Sequence, residues 1–256
     1  LCAEQMLYAA CFRAMAEISE QIDKDGSVYR AEYEKLTAVI EKFFWDEEKG
    51  AYIDSFTSGR RNVTRHANIF AILFSIADET KQEKILKNVL ENDEIPAITT
   101  PYFNFFELDV LCRMGKLTEV LDKIRSYWGG MLDLGAVTFW EEYDPSVPKE
   151  EQYDMYGDHF GKSLCHAWAA SPIYFLSKYF AGLDLVNKDG VTYILKPQMQ
   201  YFTELDCTLP VGSNGVVRLV WDGEILEITP NADGGILELG EQKLSLVRGE
   251  TRRVKI

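Results

Sequence analysis

Two adjacent glutamates are the strongest candidates for acid–base chemistry in this sequence. Glu141 and Glu142 follow Trp140 near the end of WGGMLDLGAVTFWEEYD, residues 128–144. Consecutive side chains of an extended segment point to opposite sides, so only one of the two can face a pocket. A carboxyl group partly buried against the Trp140 indole has its charged form disfavoured, which is a usual way to tune it for proton transfer. The pattern predicts one catalytic acid here, although an arbitrary pair of glutamates is ordinarily solvated.

The segment that carries this pair is long and dense in Trp, Tyr, Asp and Glu. It runs from a predicted helix that ends near Trp128 to one that begins near Ser163. A loop of that length is usually functional or disordered, and large aromatic side chains are costly to leave exposed. Aromatic rings stack on the apolar faces of sugars, while polar groups bind the hydroxyls. We therefore predict a carbohydrate site with Trp128 and Trp140 among its walls.

His166 lies in SLCHAWAASP, where Ser163 is the predicted N-cap of the next helix. This placement brings an imidazole and the Trp168 indole to the rim on which the acidic loop closes. A substrate hydroxyl is a suitable partner there, although a lone histidine near a helix start is more often structural. For His66 and His159 the structural role is the favoured one.

The sequence indicates neither a metal nor a cofactor. The five cysteines are scattered, no two have a CxxC spacing, and the three histidines form no HxxxH or HxH pair. The acidic stretch EEYDPSVPKEEQYD lacks the D-x-D-x-D-G spacing of a dedicated calcium loop. We interpret the cysteines as buried thiols rather than as a disulfide framework.

The charge of the chain disfavours two classes of partner. With 27 Lys and Arg against 41 Asp and Glu, the formal net charge is −14, so nucleic acids and anionic membranes are repelled. No apolar run reaches the roughly 18 residues that a membrane span needs. The apolar content of 46% is ample for a hydrophobic core. A carbohydrate remains the predicted partner.

Helical periodicity extends to about residue 182 and predicts roughly seven helices. NIFAILFSIA and HAWAASPIYFL are apolar nearly all round, whereas EYEKLTAVIEKFF is amphipathic. Helices wrapped on both sides alternate with amphipathic ones in a ring of helical hairpins, so a ring is favoured over a simple bundle. TTP at 99–101 supplies an N-cap and a proline at the first helical position.

Short alternating runs then predict β-strands: VTYILKP, ELDCTLP, GVVRLVW, EILEITP, GGILELG and KLSLVRG. SNG at 213–215 and NADGG at 231–235 are hairpin turn signals. The predicted fold is a multidomain α+β protein. It has a helical domain over residues 1–184 and a small antiparallel β-sandwich over 185–256, with the boundary in LDLVNKDG, residues 183–190.

The first segment, LCAEQMLYAACFRAMAEISEQI, is apolar on more than one helical face from its first residue, without an initiator Met or a capping residue. This is typical of a chain entered within a helix. We expect these 256 residues to be the C-terminal part of a longer protein.

Two segments carry a resemblance to a known family. YWGGMLDLGAVTFWEEYDPS, followed by GKSLCHAWAASPIYFLSKYFAGL, resembles the late catalytic domain of family 78 glycoside hydrolases, the α-L-rhamnosidases. That family carries W-G-x-M-L…G-A-T-T-x-W-E, and then S-x-x-H-x-W or S-x-N-H-x-x near a later helix. GVVRLVWDGEILEITPNADGGILELG is similar to its C-terminal sandwich.

The resemblance implies part of an (α/α)6 toroid followed by a C-terminal β-sandwich, and inverting hydrolysis of terminal α-L-rhamnosides. In such a site one carboxyl protonates the leaving oxygen and another, ~6.5–9.5 Å away, activates water. The glutamate directly after Trp is the family's general base, which by position is Glu141, with Glu142 as second choice. The family histidine that contacts the bound sugar corresponds to His166.

One departure from the family is large. Its general acid and several sugar-binding acids lie in an earlier D-x-x-x-R-x-E-R-x-x-W-x-G-D-like segment, which this sequence lacks. We expect that these residues alone fold incompletely or associate through exposed inner helices, and that they cleave no rhamnoside.

Two other functions stay open. One is a toroidal hydrolase of another sugar, such as a glucosidase, a fucosidase or a uronidase-like relative, which substrate profiling distinguishes. The other is a non-catalytic helical module whose aromatic residues bind glycans. Glycan binding without carboxylate-dependent turnover identifies it.

Overall fold

The computed structural model describes residues 1–188, 191–212 and 215–256 of the chain. Asp189 and Gly190 of the predicted boundary segment, and Ser213 and Asn214 of the predicted SNG turn, lie outside the described residues. Helices dominate up to residue 180 and strands follow from residue 183, which confirms the α+β class.

Eight α-helices occur within the described residues, and π-helical turns extend three of them. The helices are α1 (Cys2–Gln21), α2 (Ser27–Phe44), α3 (Arg65–Leu73), α4 (Glu79–Ile85), α5 (Pro101–Arg113), α6 (Leu117–Lys123), α7 (Gly129–Asp133) and α8 (Ser171–Phe175). The π-helical turns Leu86–Leu90, Ile124–Trp128 and Leu176–Phe180 follow α4, α6 and α8, and the second joins α6 to α7. Seven continuous helical stretches result, as periodicity predicts. None of the described helices is long and apolar enough to cross a membrane.

The chain divides into two compact units. The first unit comprises Leu1–Met114 and Trp140–Cys165, and the second comprises Gly115–Phe139 and His166–Ile256. The domain boundary between residues 184 and 185 stays a prediction from the sequence.

In the first unit, helix α3 is buried almost all round, as its apolar sequence predicts. Two polar residues of this helix are also buried, Arg65 and Asn68, and Asn68 is fully buried. Asn68 Oδ1 accepts a hydrogen bond of 2.8 Å from the Tyr52 amide, and Nδ2 donates to the carbonyls of Tyr52 at 3.0 Å and Thr64 at 2.9 Å. The amide therefore satisfies backbone groups that would otherwise be buried without partners.

Tyr52 belongs to a short hairpin of β1 (Trp45–Asp46) and β2 (Ala51–Tyr52). Helical periodicity up to about residue 182 predicts a succession of helices without strands between them, and this hairpin shows that interpretation to be wrong. Strands of two residues leave no alternating pattern, and the position of this hairpin depends on the tertiary contact with Asn68.

A buried ion pair links α3 to α5. Arg65 Nη1 donates to Glu107 Oε1 and to the carbonyl of Leu90, both at 2.9 Å. Buried charges are tolerated when they are paired in this way. Helix α5 begins at Pro101 with Thr100 in the N-cap position, so the prediction from TTP is confirmed.

Eight strands in the described part of the second unit form two four-stranded sheets. They are β3 (Leu183–Lys188), β4 (Val191–Leu195), β5 (Leu205–Pro210), β6 (Val216–Trp221), β7 (Ile225–Pro230), β8 (Gly235–Leu239), β9 (Gln242–Leu246) and β10 (Arg252–Lys255). The sheet orders are β10-β7-β6-β5 and β3-β4-β8-β9. Both sheets contribute to one core, in which Leu195, Leu219 and Leu237 are fully buried. The six predicted strand motifs correspond to β4 through β9.

One pair of strands departs from the predicted antiparallel sandwich. Among the described strands, β4 and β8 pair in parallel, with Tyr193 opposite Gly235. The chain leaves β4, builds β5 to β7 of the other sheet and returns as β8, a crossover that parallel pairing requires. A Cβ on Gly235 would lie 2.3 Å from the Tyr193 ring, so this close approach needs glycine.

The five cysteines all lie within the described residues and form no disulfide. Cys2 and Cys112 are buried and Cys207 is half-buried, but Cys11 and Cys165 are exposed. The interpretation as buried thiols is wrong for these two. Cys11 lies on the exposed face of α1, and Cys165 lies in a loop rather than in the predicted helix.

Candidate active site

Glu141 lies in the first unit and is buried, with 6% of its surface exposed. Its Oε1 accepts a hydrogen bond of 2.8 Å from the Tyr156 hydroxyl, and its Oε2 accepts one of 3.1 Å from the Ser163 amide. The Glu141 amide donates in turn to the Ser163 carbonyl at 2.9 Å. Hydrogen bonds donated to a carboxylate stabilise its charged form, which opposes the effect of burial. The side chain is thus held as a hydrogen-bond acceptor, as a base requires.

Tyr156 reaches Glu141 from a two-residue hairpin turn. The backbones of Met155 and Asp158 exchange hydrogen bonds of 3.0 and 2.9 Å. Between them Tyr156 has φ +56° and Gly157 has φ +81°, the positive pair of a type I′ turn. The hydrogen bond to Glu141 raises the pKa of the Tyr156 phenol above its usual value. The hydroxyl therefore stays protonated and remains a donor.

A row of aromatic rings lies in the same loop. Trp140 is buried and meets Tyr153 edge to face, with 5.7 Å between ring centroids. Tyr153 stacks at 6.3 Å on Phe160, which is exposed. The small and β-branched residues of GAVTFW are typical of a buried extended stretch, but Val137 is 94% exposed, so that interpretation is wrong at this residue. Ala136 and Trp140 on either side of it are buried, and aromatic packing supports the burial of Trp140.

Glu142 has a different set of partners from Glu141. Its Oε1 accepts a hydrogen bond of 3.0 Å from the Thr99 hydroxyl, and its Oε2 lies 4.0 Å from Lys162 Nζ. The Tyr143 amide also donates to the Thr99 carbonyl, at 3.2 Å. The two glutamates therefore occupy distinct environments, and Glu142 is anchored rather than freely solvated.

Trp128 lies in the second unit, at the end of the π-helical turn that joins α6 to α7. It is buried, and its indole Nε1 donates a hydrogen bond of 2.8 Å to the carbonyl of Ala169. Ala169 ends a 3₁₀ turn, Ala167–Ala169, that directly follows His166. The structure thus brings Trp128 to the chain segment that carries the candidate histidine.

His166 lies in extended backbone, not in a helix that Ser163 caps, and this expectation is corrected. A helix that started at Ser163 would have Pro172 in its interior, where proline breaks the hydrogen-bond pattern. Helix α8 instead begins at Ser171, with Pro172 in its first turn. The His166 amide donates to the Phe139 carbonyl at 2.8 Å. Its ring lies on the Trp168 ring, with 4.2 Å between centroids, and both residues are partly accessible.

The predicted site residues are divided between the two units. Trp140 and Glu141 lie in the first unit, and Trp128 and His166 lie in the second. Within the described residues, no group of three or more His, Cys, Asp or Glu side chains is arranged to hold a metal ion.

The other two histidines make local contacts. His66 packs on Phe103, with 4.2 Å between ring centroids, and burial lowers its pKa below the usual value. His159 Nδ1 pairs with Asp154 Oδ1 beside the Tyr156 turn.

Sequence reasoning missed Tyr156 and Lys162. The dipeptide of Tyr156 and Gly157 is a turn signal, and its two positive φ values are the feature that aims the phenol at Glu141. Nothing in the sequence distinguishes Lys162 from a surface lysine, because its burial results from tertiary packing.

The fold is similar to solved α-L-rhamnosidase structures. A GH78 family rhamnosidase of Bacillus sp. GL1 matches with a TM-score of 0.75 and 22% identity, over 94% of this chain and 26% of that chain. The α-L-rhamnosidase of Dictyoglumus thermophilum matches with a TM-score of 0.66 and 21% identity, over 93% and 27%. These two likenesses show that the chain has the fold of part of these structures.

A rhamnosidase from Klebsiella oxytoca, solved with rhamnose bound, is 28% identical, with a TM-score of 0.60 over 70% of this chain and 34% of that chain. The chain therefore spans about a third or less of the length of these enzymes. A comparison with curated protein sequences found no significant match.

The family model of the bacterial alpha-L-rhamnosidase 6 hairpin glycosidase domain matches residues 2–180. The chain belongs to this family. The resemblance seen in the sequence and the expected fold, part of a six-hairpin domain followed by β-sheets, are both confirmed.

Proposed function

We propose that the enzyme containing this chain hydrolyses terminal α-L-rhamnosides with inversion of configuration, and that Glu141 is its general base. The observation that carries the proposal is the Glu141 carboxylate, buried and bound by the Tyr156 hydroxyl and the Ser163 amide. Both donors favour the charged, proton-accepting form. The chain's membership of the rhamnosidase family supplies the substrate class.

In this proposal Glu141 removes a proton from a water molecule that attacks the anomeric carbon. A second carboxyl, ~6.5–9.5 Å away on the opposite side of the sugar, protonates the leaving oxygen. The family segment that carries this acid has no counterpart among these 256 residues. We accordingly expect the isolated chain to cleave no rhamnoside.

We assign three further residues to the sugar site, one as a ligand and two as supporting residues. His166 is accessible for a hydrogen bond to a sugar hydroxyl, and its ring is oriented by Trp168. Trp128 and Trp140 are buried, so we assign each the role of supporting the chain segment on which it packs rather than that of contacting the sugar. Trp128 does this through its hydrogen bond to Ala169.

The test is the turnover of Glu141→Gln on an aryl α-L-rhamnoside, in the enzyme that contains this chain. Glutamine keeps the shape of the side chain but cannot accept the proton, so kcat should fall by about 10² to 10⁴. Glu142→Gln is the matched control, and its kcat should stay within about tenfold of the parent. Equal losses in both variants would contradict the assignment. Rhamnose binding without any carboxylate-dependent turnover would instead support a glycan-binding module.

A further inference from the structure

Lys162 is a buried cation that the proposed reaction does not yet use. Only 4% of its side chain is exposed, and its Nζ lies 4.0 Å from Glu142 Oε2. Its backbone is fixed as well, because its amide donates to the Tyr153 carbonyl at 3.2 Å. The next residue, Ser163, provides the amide that binds Glu141 Oε2. Removal of a strongly hydrated ammonium group from water costs free energy, so its burial here needs a physical explanation.

The charges that act on Lys162 are mostly negative. Burial lowers the pKa of its ammonium, and four carboxylates oppose this, in decreasing order those of Glu142, Asp144, Asp154 and Glu141. Glu142 would repel a charged Glu141 if it were alone, because like charges disfavour each other's ionisation. The positive charge of Lys162, buried beside Glu142, offsets that repulsion.

We propose that Lys162 is a positioning residue whose buried charge offsets Glu142 and keeps Glu141 ionised at the pH of catalysis. The inference rests on the proposed role of Glu141 as the base. Lys162 acts through electrostatics and through Glu142, and makes no contact with the substrate. It is therefore expected to set the pH range of the reaction more than its maximal rate.

The test is the pH profile of kcat/KM for Lys162→Met in the enzyme that contains this chain. A base must be deprotonated, so activity falls on the acid side as Glu141 takes up a proton. Removal of a nearby cation favours that proton, so the acid limb should move up by about one pH unit while the plateau changes less. Lys162→Arg, which keeps the charge, should restore the acid limb toward that of the parent.

Two controls separate this role from a structural one. Lys149→Met removes an exposed lysine of the same loop and should leave the acid limb in place. Glu142→Gln removes a negative charge, so it should move the acid limb in the opposite direction, to lower pH. This second variant tests the proposal even if Lys162→Met does not fold. An acid limb that Lys162→Met leaves unchanged, or that Glu142→Gln fails to lower, would overturn the proposal.

The proposal and the base assignment fail in distinguishable ways. If Glu141→Gln retains turnover, the base assignment is wrong. If Glu141→Gln is inactive and Lys162→Met keeps the parent's pH profile, only the role of Lys162 is wrong.

Discussion

The Tyr156 hydroxyl donates a hydrogen bond of 2.8 Å to Oε1 of Glu141, from the turn of a two-residue hairpin. The carboxylate is buried, whereas 80% of the tyrosine is exposed. The buried carboxylate of Glu141 is thus oriented by the hydroxyl of a largely exposed tyrosine.

Removal of that hydroxyl should weaken the base. In the enzyme that contains this chain, Tyr156→Phe removes a donor that favours the charged carboxylate, so the acid limb of kcat/KM should rise by less than about one pH unit. The rate at the plateau should fall by less than about tenfold, because the Ser163 amide still binds Oε2. Tyr153→Phe is the matched control, since no hydrogen bond of its hydroxyl occurs within the described residues. Equal behaviour of the two variants would contradict a role for Tyr156.

Gly161 should be intolerant of a side chain. A Cβ there would lie 2.1 Å from the carbonyl oxygen of Met155, so Gly161→Ala forces the hairpin backbone apart. We expect a loss of about 1–3 kcal/mol in the free energy of unfolding. Gly129→Ala is the control, since a Cβ there meets nothing within 4 Å and alanine favours a helix by about 0.5–1 kcal/mol. Thermal unfolding of both variants of the enzyme that contains this chain checks this, and a Gly161→Ala variant as stable as the parent would refute the close approach.

Asn68 should be a large polar contributor to stability in the first unit. Asn68→Ala removes three hydrogen bonds, two of them buried, and leaves the Tyr52 backbone unsatisfied, at a cost of about 3 kcal/mol. Asn88→Ala removes one exposed hydrogen bond, to the Lys49 carbonyl, and should cost under about 1 kcal/mol. Denaturant unfolding compares the two, and equal losses would contradict the account of the β1–β2 hairpin.

The buried thiol of Cys2 should make the stability of the fold decrease at alkaline pH. Burial raises its pKa from 9.0 to about 12, with a smaller effect of the Asp54 carboxylate. A raised folded-state pKa stabilises the fold below pH 9, and this contribution is lost as pH rises from 9 toward 12. Between about pH 8 and pH 10 the parent should lose about 1 kcal/mol more stability than Cys2→Ala.

The reactivity of the thiols checks the same environment. Exposed Cys11 and Cys165 should react with a thiol reagent at about pH 8, while Cys2 reacts only after unfolding. Rapid labelling of Cys2 in the folded protein would contradict its burial.

Local patterns in the sequence predict much of this fold. The apolar circumference of NIFAILFSIA predicts the burial of α3, and the alternating runs predict β4 to β9. The β1–β2 hairpin is not predictable in this way, because it depends on Asn68 rather than on its own pattern. The helix predicted from Ser163 fails because Pro172 delays its start.

The candidate site shows the same division. Because Glu141 and Glu142 are consecutive, the sequence alone predicts that their side chains point to opposite sides. Trp140 indicates that the chain is buried beside Glu141. The partners that distinguish the two carboxylates, Tyr156 for one and Lys162 for the other, come from a later turn of the loop. Their roles depend on three-dimensional packing that no local spacing encodes.

The most direct test of the central claim is the rescue of Glu141→Ala by azide, in the enzyme that contains this chain. Azide needs no deprotonation, so it can replace the water that has lost its base and displace the aglycone from the anomeric carbon. We expect hydrolysis of an aryl α-L-rhamnoside to fall by about 10² or more, and azide to restore turnover with β-L-rhamnosyl azide as product. Hydrolysis within about tenfold of the parent, or an azide product of retained α configuration, would contradict Glu141 as the base of an inverting reaction.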